Sequence, residues 1–143
     1  MTIGLFGCGA YGMALSSILT ANNHNIEMGT KFETEKELLE KNRKNENLLP
    51  NFTLSDKIII TTSVEECIKN KDLLIIAIPA AFIDSLATEM KPYIKDNHIL
   101  IATKGIEQGT GLFINEILEK HLDTKNIAAI SGPTFAVDLI TKM

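Results

Sequence analysis

Gly7-Cys8-Gly9-Ala10-Tyr11-Gly12 follows directly on the apolar run Ile3-Gly4-Leu5-Phe6 and leads into Met13-Ala14-Leu15-Ser16-Ser17-Ile18-Leu19. A strand, a G-x-G-x-x-G turn and a helix in this order present a pyrophosphate to a helix N-terminus. Gly7 permits the tight turn, and Gly9 removes the Cβ that would hold the backbone away from phosphates. Gly12 lets the new helix pack closely on the strand, and the free N–H groups of the first helical turn complement negative charge. Glycines are common, so the pattern alone is weak and a purely structural turn is its alternative. Its setting favours dinucleotide binding: a strand before it, a helix after it, and a βα alternation along the rest of the chain.

That alternation reads as strands at residues 2–6, 25–30, 58–61, 73–78, 99–103 and 127–130. Helical patterns fall between them at 11–21, 33–41, 64–69, 80–93 and 112–121. Leu73-Leu74-Ile75-Ile76-Ala77-Ile78 is continuously apolar, as suits a parallel strand covered on both faces. Ser63-Val64-Glu65-Glu66 has the spacing of a capping box, and Asn22-Asn23 suits the end of the first helix. Pro79 follows a strand, where its missing N–H is tolerated at a helix entry. The segment 41–57 is polar and irregular, except for Leu48-Leu49-Pro50, which is expected to tuck apolar side chains under a loop. The fold class is therefore α/β: a doubly wound, mostly parallel sheet of Rossmann type, with residues 1–143 as one NAD(P)-binding domain. The closing run from Phe135 to Met143 begins like a helix and stops without a cap. A longer protein is expected to continue from it.

Composition narrows the function. The 143 residues carry a net charge of −4, which gives no electrostatic footprint for nucleic acid or an anionic membrane. Lysine supplies all the basic side chains but one, Arg43, so broad bidentate recognition of phosphate is not expected. Cys8 and Cys67 lack metal spacing and make no disulfide framework; they read as reduced thiols. No apolar run is long enough to span a bilayer and the N-terminus lacks a signal pattern, so a cytoplasmic protein is expected. His24, His98 and His121 stand apart from other candidate ligands, and no metal site is expected.

In a doubly wound sheet the ligand lies beyond the carboxyl ends of the strands, near the point where strand order reverses. Five segments reach that edge: the glycine loop, Thr30-Lys31, Ile78-Pro79-Ala80, Thr103-Lys104-Gly105 and Ser131-Gly132-Pro133-Thr134. Lys104 follows an apolar strand, and a cation there suits a phosphate, a carboxylate or the developing oxyanion of a carbonyl being reduced. Its alternative is a solvated strand-end lysine. Ser131-Gly132-Pro133-Thr134 offers hydroxyls and amides to an anion, or else simply caps a helix. At the end of the second strand an acid normally holds the ribose hydroxyls. Glu27 lies too early for that role and Glu33 too late. Thr30 and Lys31 occupy the tip, and a hydroxyl with a cation leaves NADP at least as well suited as NAD.

Together these segments resemble the NAD(P)-dependent glycerol-3-phosphate dehydrogenases of the bacterial type. The resemblance rests on Gly7-Cys8-Gly9-Ala10-Tyr11-Gly12-Met13-Ala14-Leu15, Asn45-Glu46-Asn47-Leu48-Leu49-Pro50, Ala102-Thr103-Lys104-Gly105-Ile106-Glu107 and Ser131-Gly132-Pro133-Thr134-Phe135-Ala136, in the family's order. It covers the N-terminal domain only. The family's all-helical C-terminal domain, with the lysine regarded as proton donor and acceptor, is absent from these residues. The resemblance implies cofactor contacts at Gly7, Gly9, Ala10, Tyr11, Gly12, Lys31, Pro79, Lys104 and Ala136, with NAD or NADP as cofactor. Ala10 replaces the usual serine, and Tyr11 stands where an aromatic lies beside the cofactor. Substrate contacts are implied at Lys104, Gly132 and Thr134, with glycerol 3-phosphate and dihydroxyacetone phosphate as the pair interconverted, for glycerophospholipid synthesis. Lys104 would be the catalytic contributor of this domain, in a full-length homodimer. The rivals are a ketopantoate or 3-hydroxyacid type of reductase, and a stand-alone nucleotide-sensing module.

Overall fold

The structure, a computed structural model, describes residues 1–103, 113–130 and 136–141. Six strands form one all-parallel sheet: β1 (Thr2–Phe6), β2 (Asn25–Gly29), β3 (Ile59–Thr61), β4 (Leu73–Ile76), β5 (Ile99–Ile101) and β6 (Ile127–Ala129). Their spatial order is β3-β2-β1-β4-β5-β6, so the winding direction reverses between β1 and β4. This is the doubly wound order expected from the sequence, and it opens a crevice beyond the carboxyl ends of those two strands.

Among the described residues six helices connect or follow the strands: α1 (Ala10–Ala21), α2 (Glu33–Asn42), α3 (Val64–Ile68), α4 (Ile83–Met90), α5 (Ile114–His121) and α6 (Ala136–Thr141). The period-2 geometry of a strand sends alternate side chains to opposite faces. Phe6, Leu74, Ile76, Ile99 and Ile101 meet α3, α4 and α5 on one side. Ile3, Leu5, Ile26, Met28, Ile60 and Ile75 meet α1 and α2 on the other, with Leu49 and Leu54 beneath them. Each such fully buried aliphatic side chain contributes roughly 1.5–3 kcal/mol of transfer free energy. The two apolar layers explain why β1 and β4 read as unbroken apolar runs. At the β6 edge the covering fails among the described residues: Ala128 and Ala129 are exposed, and Ile130 is 42% exposed.

Local signals act as their chemistry predicts, with three differences. Ser63 caps α3 by accepting from the Glu66 N–H at 3.2 Å, but the box is not reciprocal. The Glu66 carboxylate accepts from the Thr61 hydroxyl instead, and that hydroxyl accepts from the Ser63 N–H. The helix expected at 80–93 is divided into a 3-10 turn at Ala80–Phe82, α4, and a second 3-10 turn at Lys91–Tyr93. Pro92 has no N–H to continue the α-helical ladder. In the loop after α2, Leu49 is fully buried while Leu48 stays exposed. Arg43 closes that helix in a left-handed conformation, and its guanidinium donates to the Ser55 and Ile58 carbonyls.

Candidate cofactor crevice

At the reversal point lies a cavity of about 490 Å3, whose floor is Gly7, Cys8 and Gly9. One wall comes from the end of β2 and the start of α2, through Thr30, Lys31, Phe32 and Glu35. The facing wall comes from the end of β4, through Ala77, Ile78, Pro79 and Phe82.

The three glycines do different work in this floor. Gly7 adopts φ +130°, which L side chains rarely reach, and a Cβ there would strike the Ala77 carbonyl. Gly12 sits so close beneath it that a Cβ would collide with the Gly7 carbonyl oxygen. Gly9 is different: a Cβ built on it has nothing within 4 Å. The space beside Gly9 is open crevice. Gly9 is also the N-cap of α1, with no side-chain cap, and the first turn of α1 carries no acidic residue. The leading N–H groups of the helix therefore keep their affinity for an anion at the point where the backbone is bare.

The strand ends that frame the floor are tied together. Gly7 donates to Gly29 O at 2.9 Å, Thr30 to Thr61 O at 2.9 Å and Ala77 to Phe6 O at 2.8 Å. Thr103 pins the far wall: its hydroxyl donates to Ile78 O at 2.7 Å and accepts from Ile78 N at 3.1 Å. On the near wall, the Thr30 hydroxyl donates to Glu35 Oε1 at 2.5 Å and accepts from Phe32 N at 3.2 Å. Glu33, on nearly the opposite face of α2, instead accepts from the Thr62 hydroxyl at 3.1 Å. Phe32 and Phe82 are 59% and 51% exposed and line opposite walls of the cavity.

Cys8 is buried in the floor, where its thiol meets Gly29 O at 3.8 Å. Burial foremost, and then the nearby Glu35 carboxylate, push its pKa far above the ordinary thiol value. Cys67 is pushed up to about 12, mainly by burial and then by Glu27. Both are free thiols, held protonated and inert.

Gly7, Gly9, Lys31 and Pro79 thus meet in one crevice, with Gly12 buttressing its floor. Ala10, Tyr11 and Ala136 lie half-buried against the core on the α1–α6 side and are not part of the crevice lining. Lys104, Gly132 and Thr134 lie outside the described residues. Sequence reasoning missed Glu35, Phe32, Phe82 and the pinning role of Thr103. The cue for Glu35 is its place in the first turn of α2, two residues from Glu33 and so on nearly the opposite face of the helix.

The family model described as "NAD-dependent glycerol-3-phosphate dehydrogenase N-terminus" matches residues 2–143. A glycerol-3-phosphate dehydrogenase [NAD(P)+] of Agathobacter rectalis is 36% identical over 138 residues, covering 96% of this chain and 41% of the relative. The Fusobacterium nucleatum enzyme of the same name is 36% identical over 140 residues, covering 96% and 42%. The crystal structure of a Coxiella burnetii glycerol-3-phosphate dehydrogenase superposes with a TM-score of 0.90 at 22% identity, over 99% of this chain and 44% of that one. The chain spans about two-fifths of the length of the curated relatives it matches.

Proposed function

The chain belongs to the NAD-dependent glycerol-3-phosphate dehydrogenase family as its N-terminal domain, and from that premise we propose that it binds NAD(P)(H) for an oxidoreductase interconverting sn-glycerol 3-phosphate and dihydroxyacetone phosphate. The observation that carries the reading is the open backbone at Gly9, set against an uncapped helix N-terminus at the reversal point of the sheet. A pyrophosphate fits there on size, charge and hydrogen-bond donors. Phe32 and Phe82 take the adenine, while Gly7, Lys31 and Pro79 border the adjoining ribose and phosphates.

When bound, the cofactor supplies or removes the hydride. The chain's own part is to hold it rigidly at the strand ends and to bring in Lys104 as a cation for substrate and carbonyl oxygen. Gly132 and Thr134 contact substrate, and Ala10, Tyr11 and Ala136 complete the cofactor side. The proton donor belongs to a helical domain beyond these residues, in a cytoplasmic homodimer that makes glycerol phosphate for phospholipid synthesis. Among the described residues no helix is long and apolar enough to cross a membrane.

The test is dihydroxyacetone phosphate-dependent oxidation of NADH and NADPH, run on the 143-residue chain and on the longer gene product. Binding without turnover by the chain, and turnover by the longer product, is the expected result. Robust turnover by the chain alone refutes the division of labour. Cofactor binding with no activity in the longer product favours the sensing-module alternative.

A further inference from the structure

The regular pairing of β4 with β5 stops at Ile76 and Ile101, just short of the crevice wall. Ala102 N still donates to Ile76 O at 2.8 Å, and beyond that bond a side chain takes over. The Thr103 hydroxyl accepts from Ile78 N at 3.1 Å, and lies 2.7 Å from Ile78 O and 3.2 Å from Ile76 O. A hydroxyl has one proton to give, and the nearer oxygen is its acceptor. One side chain thus engages both backbone polar groups of Ile78, which lines the crevice beside Pro79.

Thr103 is half-buried and is not itself part of the crevice lining. Its place in the chain gives these bonds a further use. The next residue is Lys104, the cation that the proposed function gives to the substrate. Ile78 belongs to the wall that bounds the cofactor, and Thr103 to the strand end that leads toward the substrate. Those two sides come from different strands, and a hydride transfer needs them held in register. A β-branched side chain is stiff at χ1, so a hydroxyl bonded across the gap constrains its own backbone as well as the wall.

We propose that Thr103 is a positioning residue for the reaction: its hydroxyl fastens the end of β5 to the β4 wall of the crevice and so sets the point from which Lys104 meets the substrate. The inference rests on the functional reading above and adds to it a residue that touches neither cofactor nor substrate.

The experiment uses the longer gene product, with dihydroxyacetone phosphate as the varied substrate at saturating NADH. Thr103→Val keeps the branched shape and loses the bonds to Ile78. Its kcat/KM is expected to fall about 10- to 100-fold, the scale of a misplacement near 1 Å, with part of the loss in kcat. Thr103→Ser keeps the hydroxyl and is expected to retain most of the parent activity. In a Lys104→Ala background, Thr103→Val is expected to change kcat/KM by no more than about twofold, because the group it positions is gone. Thermal unfolding and calorimetric titration with NADH separate this role from support of the fold or of the cofactor wall. Near-normal kcat/KM in Thr103→Val overturns the inference. So does an undiminished further loss in the Lys104→Ala background, or a serine variant no better than the valine one. Thr103→Ala is read in the same way if the valine variant does not fold. Failure of both to fold makes Thr103 a folding residue and overturns the inference too. Absence of turnover by the parent gene product overturns the functional reading, and this inference with it.

Discussion

Replacing Gly9 by valine separates binding from folding, because the structure gives the two processes different reasons to care about this position. The backbone at Gly9 has φ −74° and ψ −177°, an extended conformation open to any residue. A Cβ there meets nothing within 4 Å. The folding cost is then that of a poorer N-cap, about 1 kcal/mol, which lowers the melting temperature by only about 3–4 °C in a chain of this length. The binding cost is larger, because the branched side chain occupies the space a pyrophosphate must enter. Affinity for NADH is expected to fall at least about 100-fold, or about 2.7 kcal/mol. Gly12→Ala is the control of opposite sign: its Cβ strikes the Gly7 carbonyl, and overpacking of this kind costs about 3 kcal/mol or more. Thermal unfolding and calorimetric titration of both variants read the two effects independently. Unchanged NADH affinity in a folded Gly9→Val chain refutes the placement of the pyrophosphate. A Gly9→Val chain that fails to fold refutes the claim that the space is open.

Three further outcomes follow from buried and charged groups. Cys8 and Cys67 should react with a thiol reagent at pH 8 only when denaturant exposes them. Because their folded pKa values are raised, stability is full below the unfolded thiol pKa near 9 and declines as pH climbs toward 12, at about 1.4 kcal/mol per pH unit per thiol; a flat alkaline unfolding profile contradicts the burial argument. Lys71→Ala should destabilise by roughly 3 kcal/mol in urea unfolding, because Lys71, 7% exposed, pairs with Glu27 at 2.9 Å and leaves that carboxylate half-buried and alone; a loss under about 0.5 kcal/mol would make the pair a surface one. In the longer gene product, Lys104→Ala should lower kcat/KM by about 10²–10³ with part of the loss in kcat; a near-normal value would make Lys104 a solvated lysine.

The fold was legible because its signals are local and redundant. β1 ends where the glycine loop begins, and Asn23 turns left-handed at φ 67° after the last turn of α1, as the Asn22-Asn23 pair suggested. Apolar continuity placed β4, although Ala77 and Ile78 leave the regular ladder to line the crevice. Strand ends could not be read as sharply, since apolar residues serve a core and a crevice wall equally well. The site was legible at its glycines, where sterics demand a residue type, and far less so at its walls. Phe32 and Phe82 looked like ordinary apolar residues, and Glu35 like one more acid on a polar helix. Their significance comes from the meeting of loops that are far apart in the chain.

The Thr103 contacts show how a residue beyond the end of β5 shapes the crevice wall. Its hydroxyl spends both its donor and an acceptor site on Ile78, so β5 is fastened to the residue just before Pro79. The chain enters residue 104 from a point pinned to the wall of the cofactor crevice. An alanine at 103 would leave the Ile78 N–H and C=O without that partner and free the wall to drift, whereas serine would keep the bonds. In the Ala102-Thr103-Lys104-Gly105 stretch the threonine thus has a reason of its own. It fixes the strand end that leads into Lys104, the residue the proposed function gives to the substrate, and a site assembled from separate strands needs that fixing to within a fraction of an ångström.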